Sequence, residues 1–267
     1  MERSRILVLS RSRRDAVGNL LRDGDTVGGE GAGPVWCVSE DGMDVLGIDA
    51  CGRQGWVGIR LTDGAYAGSL VGGSLDTLVE RAGDVAAIAV DMPLGLVEKG
   101  WRAADLAARA LLGMRRSSVF LIAPRPAWQE PDYARAAQRC QELAGSRLSR
   151  QAWALAPKLL EARACWLADE RIHEAHPELS FHALAGGVPL TYAKKTWRGQ
   201  NLRRALLAEA GVGLPDELGE ADRTPTDDVL DATAAAWSAH RIALGIAEQV
   251  PTVPELDSEG RRIEIRY

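Results

Sequence analysis

The stretch Thr224-Pro-Thr-Asp-Asp-Val-Leu-Asp-Ala-Thr-Ala-Ala-Ala-Trp237 sets three aspartates, Asp227, Asp228 and Asp231, against an otherwise apolar helix. Asp228 and Asp231 stand at i and i+3, so on an α-helix they share a face and both carboxylates can reach one point. Such a pair suggests a cation, and an all-oxygen donor set suits Mg²⁺ or Mn²⁺. A local reading competes with this one. In it Thr224 caps the helix, Pro225 is its first residue, and Asp227 and Asp228 complement the positive end of the helix dipole. The local reading accounts for most of Asp227 and half of Asp228. It fits Asp231 poorly, because an aspartate in the second turn loses helix propensity and gains little from the dipole.

Two further acids stand at the ends of strand-like runs. Asp49 lies near the end of Val45-Leu-Gly-Ile-Asp-Ala50, and Asp91 follows Val85-Ala-Ala-Ile-Ala-Val90, a continuous apolar run of the sort buried on both faces of a sheet. The run at 45–50, Trp56-Val-Gly-Ile-Arg-Leu61 and Ala65-Tyr-Ala-Gly-Ser-Leu-Val71 are separated by turn signals at Gly52 to Gly55 and Thr62-Asp-Gly64, which predicts three antiparallel strands. A helix over Ser74 to Arg81, with Ser74 as N-cap and Gly83 past its end, precedes the apolar run. Strand, helix and buried strand form a crossover unit, so the fourth strand should lie parallel to an earlier one. If it neighbours the first, Asp49 and Asp91 emerge at one sheet edge, about 5 Å apart in backbone. Carboxylates that close repel unless a cation neutralises them, and the acidic helix packed beside that edge would complete the ligand set.

The remaining elements are coarser. Ala103 to Leu112, Asp132 to Leu143 and Pro157 to Ala168 read as amphipathic helices of an insertion spanning about 96–168, with Arg115 to Phe120 and Ala123-Pro-Arg-Pro126 as loop. Arg171 to His176 alternates as a fifth strand, Gly186 to Pro189 is a turn, and Lys194-Lys-Thr-Trp-Arg198 is a basic loop. Asn201 to Ala210 reads as a helix closed by Gly211, the acidic helix as running from Thr226 to Ala247, and Ile263 to Tyr267 as a small terminal strand. Residues 1 to about 42, with a glycine-rich run from Gly24 to Gly33, read as a weakly structured extension before a single domain over 43–267. Met43 stands directly before the first strand and is a candidate translation start, which intact-mass measurement of the native protein would test.

A net charge of -5 argues against a protein that coats nucleic acid through a bulk positive field and leaves room for a local basic groove. The four cysteines, Cys37, Cys51, Cys140 and Cys165, form no C-x-x-C pair, so neither a disulfide framework nor a cysteine zinc site is indicated, and a reducing cytoplasm is expected. No apolar run reaches bilayer length and no signal-peptide core is present, so no membrane association is expected. Gly52 to Gly55 lie between two strands, where a phosphate cradle would require a helix.

Several segments, taken in order, resemble the motifs of one family. They are Gly47-Ile-Asp-Ala50 with Gly55-Trp56, Asp91-Met-Pro-Leu-Gly-Leu96, Ala107-Ala-Arg-Ala-Leu-Leu-Gly113 with Arg116-Ser-Ser-Val-Phe120, His176-Pro-Glu-Leu-Ser-Phe181, Lys194-Lys-Thr196 and Asp227-Asp-Val-Leu-Asp-Ala232. The family is the domain-of-unknown-function group 429, described as predicted nucleases of the ribonuclease H-like fold. The likeness covers Val45 to Ala247. Asp228-x-x-Asp231-Ala232 is also similar to the closing helix motif of Holliday-junction resolvases. The resemblance implies an α/β ribonuclease H-like mixed sheet, three antiparallel strands followed by parallel strands and flanked by helices, with Asp49, Asp91, Asp228 and Asp231 as metal ligands. Where members of the group often carry a cysteine before the helical aspartate, this chain has Ala104-Asp105, and no chemistry is attached to that neighbour.

Other candidates are weighed against plainer roles. Glu178, beyond the fifth strand, stands evenly between ligand or proton shuttle and a structural role in the turn. His176 fits a satisfied hydrogen-bonding residue better than a catalytic one. Lys194, Lys195 and Arg198, with Arg203 and Arg204 on the next helix, are candidates for substrate phosphate. A solvated charged face explains Lys194 and Lys195 equally well and the helical arginines better. Arg115 and Arg116 beside Ser117-Ser118 would suit an anion, while Ser117 as a nucleophile lacks an identifiable base. Most of the eight tryptophans, Trp56, Trp153 and Trp237 among them, are expected in the core, with Trp197 free to stack on a base. The function expected is a metal-dependent nuclease or phosphodiester hydrolase in which two Mg²⁺ or Mn²⁺ ions, bridged by Asp49 and held by Asp91, Asp228 and Asp231, activate water. The alternative is a non-catalytic nucleotide or nucleic-acid binding or regulatory module, and an ATP-dependent phosphotransferase ranks last. The substrate stays open among DNA, RNA, a branched junction and a small phosphoester. The insertion is large enough to cap the site or to form a homodimer interface, and the sequence chooses neither.

Overall fold

The alternation that begins at Val45 makes a strand, and a computed structural model, which describes residues 42–52 and 55–267, shows what that strand pairs with. Strands β1 (Asp44–Cys51), β2 (Gly55–Thr62) and β3 (Ala65–Gly72) are antiparallel. Asp63 and Gly64 turn the second hairpin with φ of 50° and 80°, the left-handed geometry that a two-residue turn requires. Helix α1 (Leu75–Ala82) starts where the Ser74 hydroxyl accepts from the Thr77 N–H, and it stops at Gly83, whose φ is 67°. The chain then returns as β4 (Ala87–Val90), buried along its whole length and parallel to β1. With β5 (Ile172–Glu174) parallel to β4, the five-stranded sheet has the order β3-β2-β1-β4-β5. Both the antiparallel and the parallel pairings match the expectation from sequence.

Between β4 and β5 lie α2 (Ala103–Leu112), α3 (Arg125–Trp128), α4 (Tyr133–Ala144), α5 (Arg150–Trp153) and α6 (Ala156–Ala168). Two segments expected as loop are helical, a 3₁₀ turn over Gly113–Ser118 and α3 itself. Prolines concealed α3: Pro124 is its N-cap and Pro126 sits in its first turn, where a missing N–H costs nothing. After β5 come α7 (Pro177–Leu184), α8 (Trp197–Glu209), a 3₁₀ turn over Gly219–Arg223 and α9 (Thr226–Ala243), followed by the hairpin β6 (Gln249–Leu256) and β7 (Arg262–Arg266).

Helix α7 replaces an expected turn, because His176 Nδ1 caps the Glu178 N–H and Pro177 is the first helical residue. Helix α8 begins at Trp197 rather than Asn201, since Thr196 caps the Gly199 N–H. The N-cap of α9 is Pro225 rather than Thr224, and the helix ends at Ala243 rather than Ala247. Strand β6 was hidden by Pro251 and Pro254, residues that count against a strand from sequence but are tolerated at an edge. The expected amino-terminal extension falls outside the described residues. Among those residues no helix is long and apolar enough to cross a membrane.

Strand alternation sends Leu46, Ile48, Ile88 and Val90 to one face of the sheet, under α1 and the helices between β4 and β5. Val45, Val57, Ile59, Ala87 and Ala89 face the other way, under α7 to α9. The second face is unusually close. Ala232, Ala235, Ala236 and Ala239 of α9 are fully buried, and a Cβ built on Gly47 would lie 1.9 Å from the Ala236 nitrogen and 2.3 Å from the Ala232 oxygen. The helix backbone therefore lies directly on the strand backbone. Gly47→Ala should cost about 3 kcal/mol or more, since neither main chain can yield as a side chain would. A urea unfolding midpoint equal to that of the unsubstituted protein would contradict this packing.

Candidate metal centre

The close approach at Gly47 decides where the acids go. Asp49 follows Gly47 by two residues, so it projects from the same face of β1, toward α9. Asp91 follows Ala89 by two and projects to that face beyond the end of β4. The Asp91 N–H donates to the Ile48 carbonyl at 2.8 Å, which carries the parallel ladder past the last paired residue and keeps the two acids side by side. Asp231 precedes Ala235 by one helical turn and so lies on the stripe of α9 that covers β1.

One carboxylate oxygen from each of Asp49, Asp91 and Asp231 lies within 4.8 Å of the others. Oxygens bound to one Mg²⁺ at about 2.1 Å stand roughly 3–4.2 Å apart, so small side-chain rotations would close the three onto one ion. The donor set therefore fits a hard divalent cation. Asp228 lines the same cavity without joining the converging three. It lies about 4.5 Å farther toward the amino end of α9, where the helix is half-buried.

Burial sets the electrostatics. Asp49 and Asp231 are buried, and Asp91 is half-buried. Burial first, then the neighbouring Asp91 and Asp231, holds the Asp49 carboxyl well above the usual carboxylate range. Burial pushes Asp91 and Asp231 up to about 7, even though Lys194 pulls both down. Asp228 is raised by burial and then by Asp227. The Lys194 ammonium donates to Asp231 Oδ2. Burial works against that ammonium, but Asp231, Asp91 and Asp49 outweigh it and hold its pKa above the ordinary lysine value.

The acids open into a cavity of about 660 Å³ whose lining includes Lys194, Lys195, His176, Glu178, Arg115 and Phe120. Two other concavities, each of about 490 Å³, contain none of the converging aspartates. The sequence candidates divide within this site. Lys195 is at the mouth with its side chain 80% exposed, 3.8 Å from Asp227. Arg116 is exposed and does not line the cavity; the 3₁₀ turn presents Arg115 instead. Glu178 does line it, but its Oε1 accepts from Arg203 and, at 3.3 Å, from Arg115. Arg203 is fully buried, which corrects the expectation of a solvated helix face. His176 caps α7 through Nδ1 and places Nε2 3.3 Å from the Ser118 carbonyl, and burial lowers its pKa. It is the satisfied residue that sequence favoured. Of the tryptophans, Trp56 is buried, Trp153 and Trp237 are half-buried, and Trp197 is exposed at the start of α8.

One network was missed. Arg102 is fully buried and pairs with Glu174 at the end of β5 and, at 3.1 Å, with Asp105. Glu174 Oε2 also accepts from the Leu94 N–H at 2.8 Å, and Asp105 Oδ2 accepts from the Ile122 N–H at 2.8 Å. These bonds tie the loop after Asp91 and the segment before α3 to the sheet. Burial pushes Asp105 up to about 7, against the pull of Arg102. An acid closing the alternating β5 run was the available signal for Glu174, whereas nothing local marked Arg102 as its partner.

Fold and site together define a mixed α/β protein that gathers buried carboxylates at the carboxyl ends of two parallel strands. The chain belongs to the family described as Protein of unknown function (DUF429), whose model it matches over residues 47–256. No curated protein and no solved structure matches it.

Two outcomes follow from these charges. Between about pH 4, where unfolded aspartates titrate, and about pH 7, the folded chain holds protons on Asp91 and Asp231 that the unfolded chain has released. Stability should therefore fall as pH rises through that window, giving a lower melting temperature for chelator-treated protein at pH 8 than at pH 5.5. The drop should shrink in Asp231→Asn, and equal drops in both proteins would exclude this source. Arg102→Leu, which leaves Glu174 and Asp105 buried without their counter-charge, should cost about 3–5 kcal/mol in denaturant unfolding. A loss under 1 kcal/mol would show that the network is not structural, being roughly what an exposed pair contributes.

Proposed function

We propose that the protein is a divalent-metal-dependent nuclease or phosphodiester hydrolase built on a ribonuclease H-like fold. The observation that carries this reading is the convergence of Asp49, Asp91 and Asp231, from three separate elements, to within 4.8 Å. The strand order, with three antiparallel strands followed by two parallel ones, supports the fold assignment. Asp49, Asp91 and Asp231 would hold Mg²⁺ or Mn²⁺, and Asp228 adds a carboxylate toward the mouth for a second ion. Bound there, the cations would supply Lewis acidity, lowering the pKa of water and offsetting charge on the phosphoryl oxygens.

The chain's own groups do the rest. Lys194, at Asp231, and Lys195, at the mouth, present ammonium groups to a phosphate entering over the acids. Arg203 and Arg115 hold Glu178 aside, so that it shapes the wall without competing for the ion. In the overall change a water oxygen bonds to phosphorus, the bond from phosphorus to the leaving oxygen breaks, and one proton moves from the water to the leaving oxygen.

The Lys194–Asp231 pair favours a second reading, in which lysine alone neutralises the cluster and the protein binds without cleaving. Titration calorimetry with Mn²⁺ and assays on DNA, RNA and bis(p-nitrophenyl) phosphate separate the two. Hydrolysis predicts Mn²⁺ binding that weakens at least about tenfold in Asp49→Asn. It also predicts loss of cleavage in Asp49→Asn and in Asp228→Asn without a lower unfolding midpoint. No binding at millimolar Mn²⁺ would favour the lysine-neutralised module, and full Mn²⁺-dependent cleavage by both variants would reject the residue assignment.

A further inference from the structure

The cavity over the acids has a second character. Besides the carboxylates its lining is apolar, formed by Met92 and Pro93 after β4 and by Val119, Phe120, Ile122 and Leu155 from the segment between β4 and β5. Met92, Val119 and Ile122 are buried, whereas Pro93, Phe120 and Leu155 keep accessible surface. The wall is also held in place. The Val119 carbonyl accepts from Arg109 at 2.8 Å, the Ser118 carbonyl faces His176 Nε2 at 3.3 Å, and the Ile122 N–H donates to Asp105 at 2.8 Å. Phe120 therefore stands on a strip anchored to α2 and to the start of α7, half-buried with one part packed on the core and the rest lining the cavity.

From this arrangement, and resting on the hydrolase reading above, we infer that the site takes a phosphodiester of nucleotide size, with one base lying against Phe120 and its phosphate over Asp49, Asp91 and Asp231. A volume of about 660 Å³ is that of a small-molecule site, and such sites combine apolar walls with a few polar groups. The charges agree. Lys194, Lys195 and Arg115 are the cationic residues of the lining, and Lys194 and Arg115 are engaged by Asp231 and Glu178. That supply suits one or two phosphates, whereas a protein gripping duplex DNA neutralises about 6–10. The net charge of -5 gives no bulk field to make up the difference. Ser117 and Gln151, both exposed in the lining, offer hydroxyl and amide groups to a base edge.

The test is calorimetric titration of the Mn²⁺-loaded protein with thymidine 5′-monophosphate, which contains the base and phosphate but no diester to cleave. One nucleotide should bind per chain. Phe120→Ala should weaken it at least about fivefold while leaving Mn²⁺ affinity unchanged, the lower end of what base–aromatic stacking contributes. Phe120→Leu keeps apolar volume for folding but removes the ring, and it should weaken binding in the same direction. A 20-base-pair duplex and a circular single strand should fail to displace the nucleotide. Displacement by a linear single strand would identify a strand end as the source of the seated nucleotide, and its absence would identify a free nucleotide phosphodiester. No nucleotide binding, unchanged affinity in both Phe120 variants, or displacement by the duplex or the circle would overturn the inference. Loss of Mn²⁺ binding or of bis(p-nitrophenyl) phosphate cleavage strikes the hydrolase reading, whereas unchanged nucleotide affinity in the Phe120 variants with Mn²⁺ binding intact strikes this inference alone.

Discussion

Contact between the backbone of α9 and the backbone of β1 at Gly47 is the constraint on which the site depends. A Cβ there would meet main-chain atoms of Ala232 and Ala236, so strand and helix can approach this closely only because that position carries no side chain. The alanines of α9 serve the same end from the helix side. With the distance set by main chain rather than by flexible side chains, Asp231 arrives beside Asp49 in a fixed relation. The parallel β1–β4 ladder, extended by the Asp91 N–H to the Ile48 carbonyl, then fixes the third acid. Two rigid relations thus determine three side chains.

Gathering buried carboxylates works against folding, and the protein answers in two ways. Around the site it pairs them with fully buried arginines: Arg102 with Glu174 and Asp105, and Arg203 with Glu178. In the centre it does not. Among the described residues Lys194 is the cation bonded to the cluster, and its pull leaves Asp91 and Asp231 still raised to about 7. The outer pairs hold a frame, while the inner acids retain an unmet demand for positive charge. Perturbed groups gathered in a cavity make it a candidate site, although structural ion-pair networks such as the one around Arg102 shift pKa values as well.

The segment between β4 and β5 gives this charge its surroundings. It supplies the apolar side of the cavity through Val119, Phe120, Ile122 and Leu155, and it packs its other face into the core beneath the sheet. The cavity thus joins carboxylates at the sheet edge to apolar side chains from the connecting stretches between helices.

Much of this was legible in the chain. Alternation and turn residues determined β1 to β3, the unbroken apolar run determined β4, and the capping residue Ser74 located the start of α1. A strand–helix–strand unit makes its second strand parallel to an earlier one, which brings Asp49 and Asp91 to one edge if the two are neighbours, and the β1–β4 ladder shows that they are. Proline defeated local reading at α3, at the start of α7 and in β6, because the same residue opens a helix, edges a sheet or breaks either, depending on its neighbours. What only the tertiary structure decided was partnership. Asp228 and Asp231 look alike in sequence, but the rotation of α9 on β1 sends Asp231 into the cluster and leaves Asp228 toward the mouth. Arg203 reads as a surface residue until Glu178 is found beside it, and Arg102 until Glu174 is. Periodicity records which face a residue occupies; which charge waits across that face depends on elements far along the chain, and only the fold brings them together.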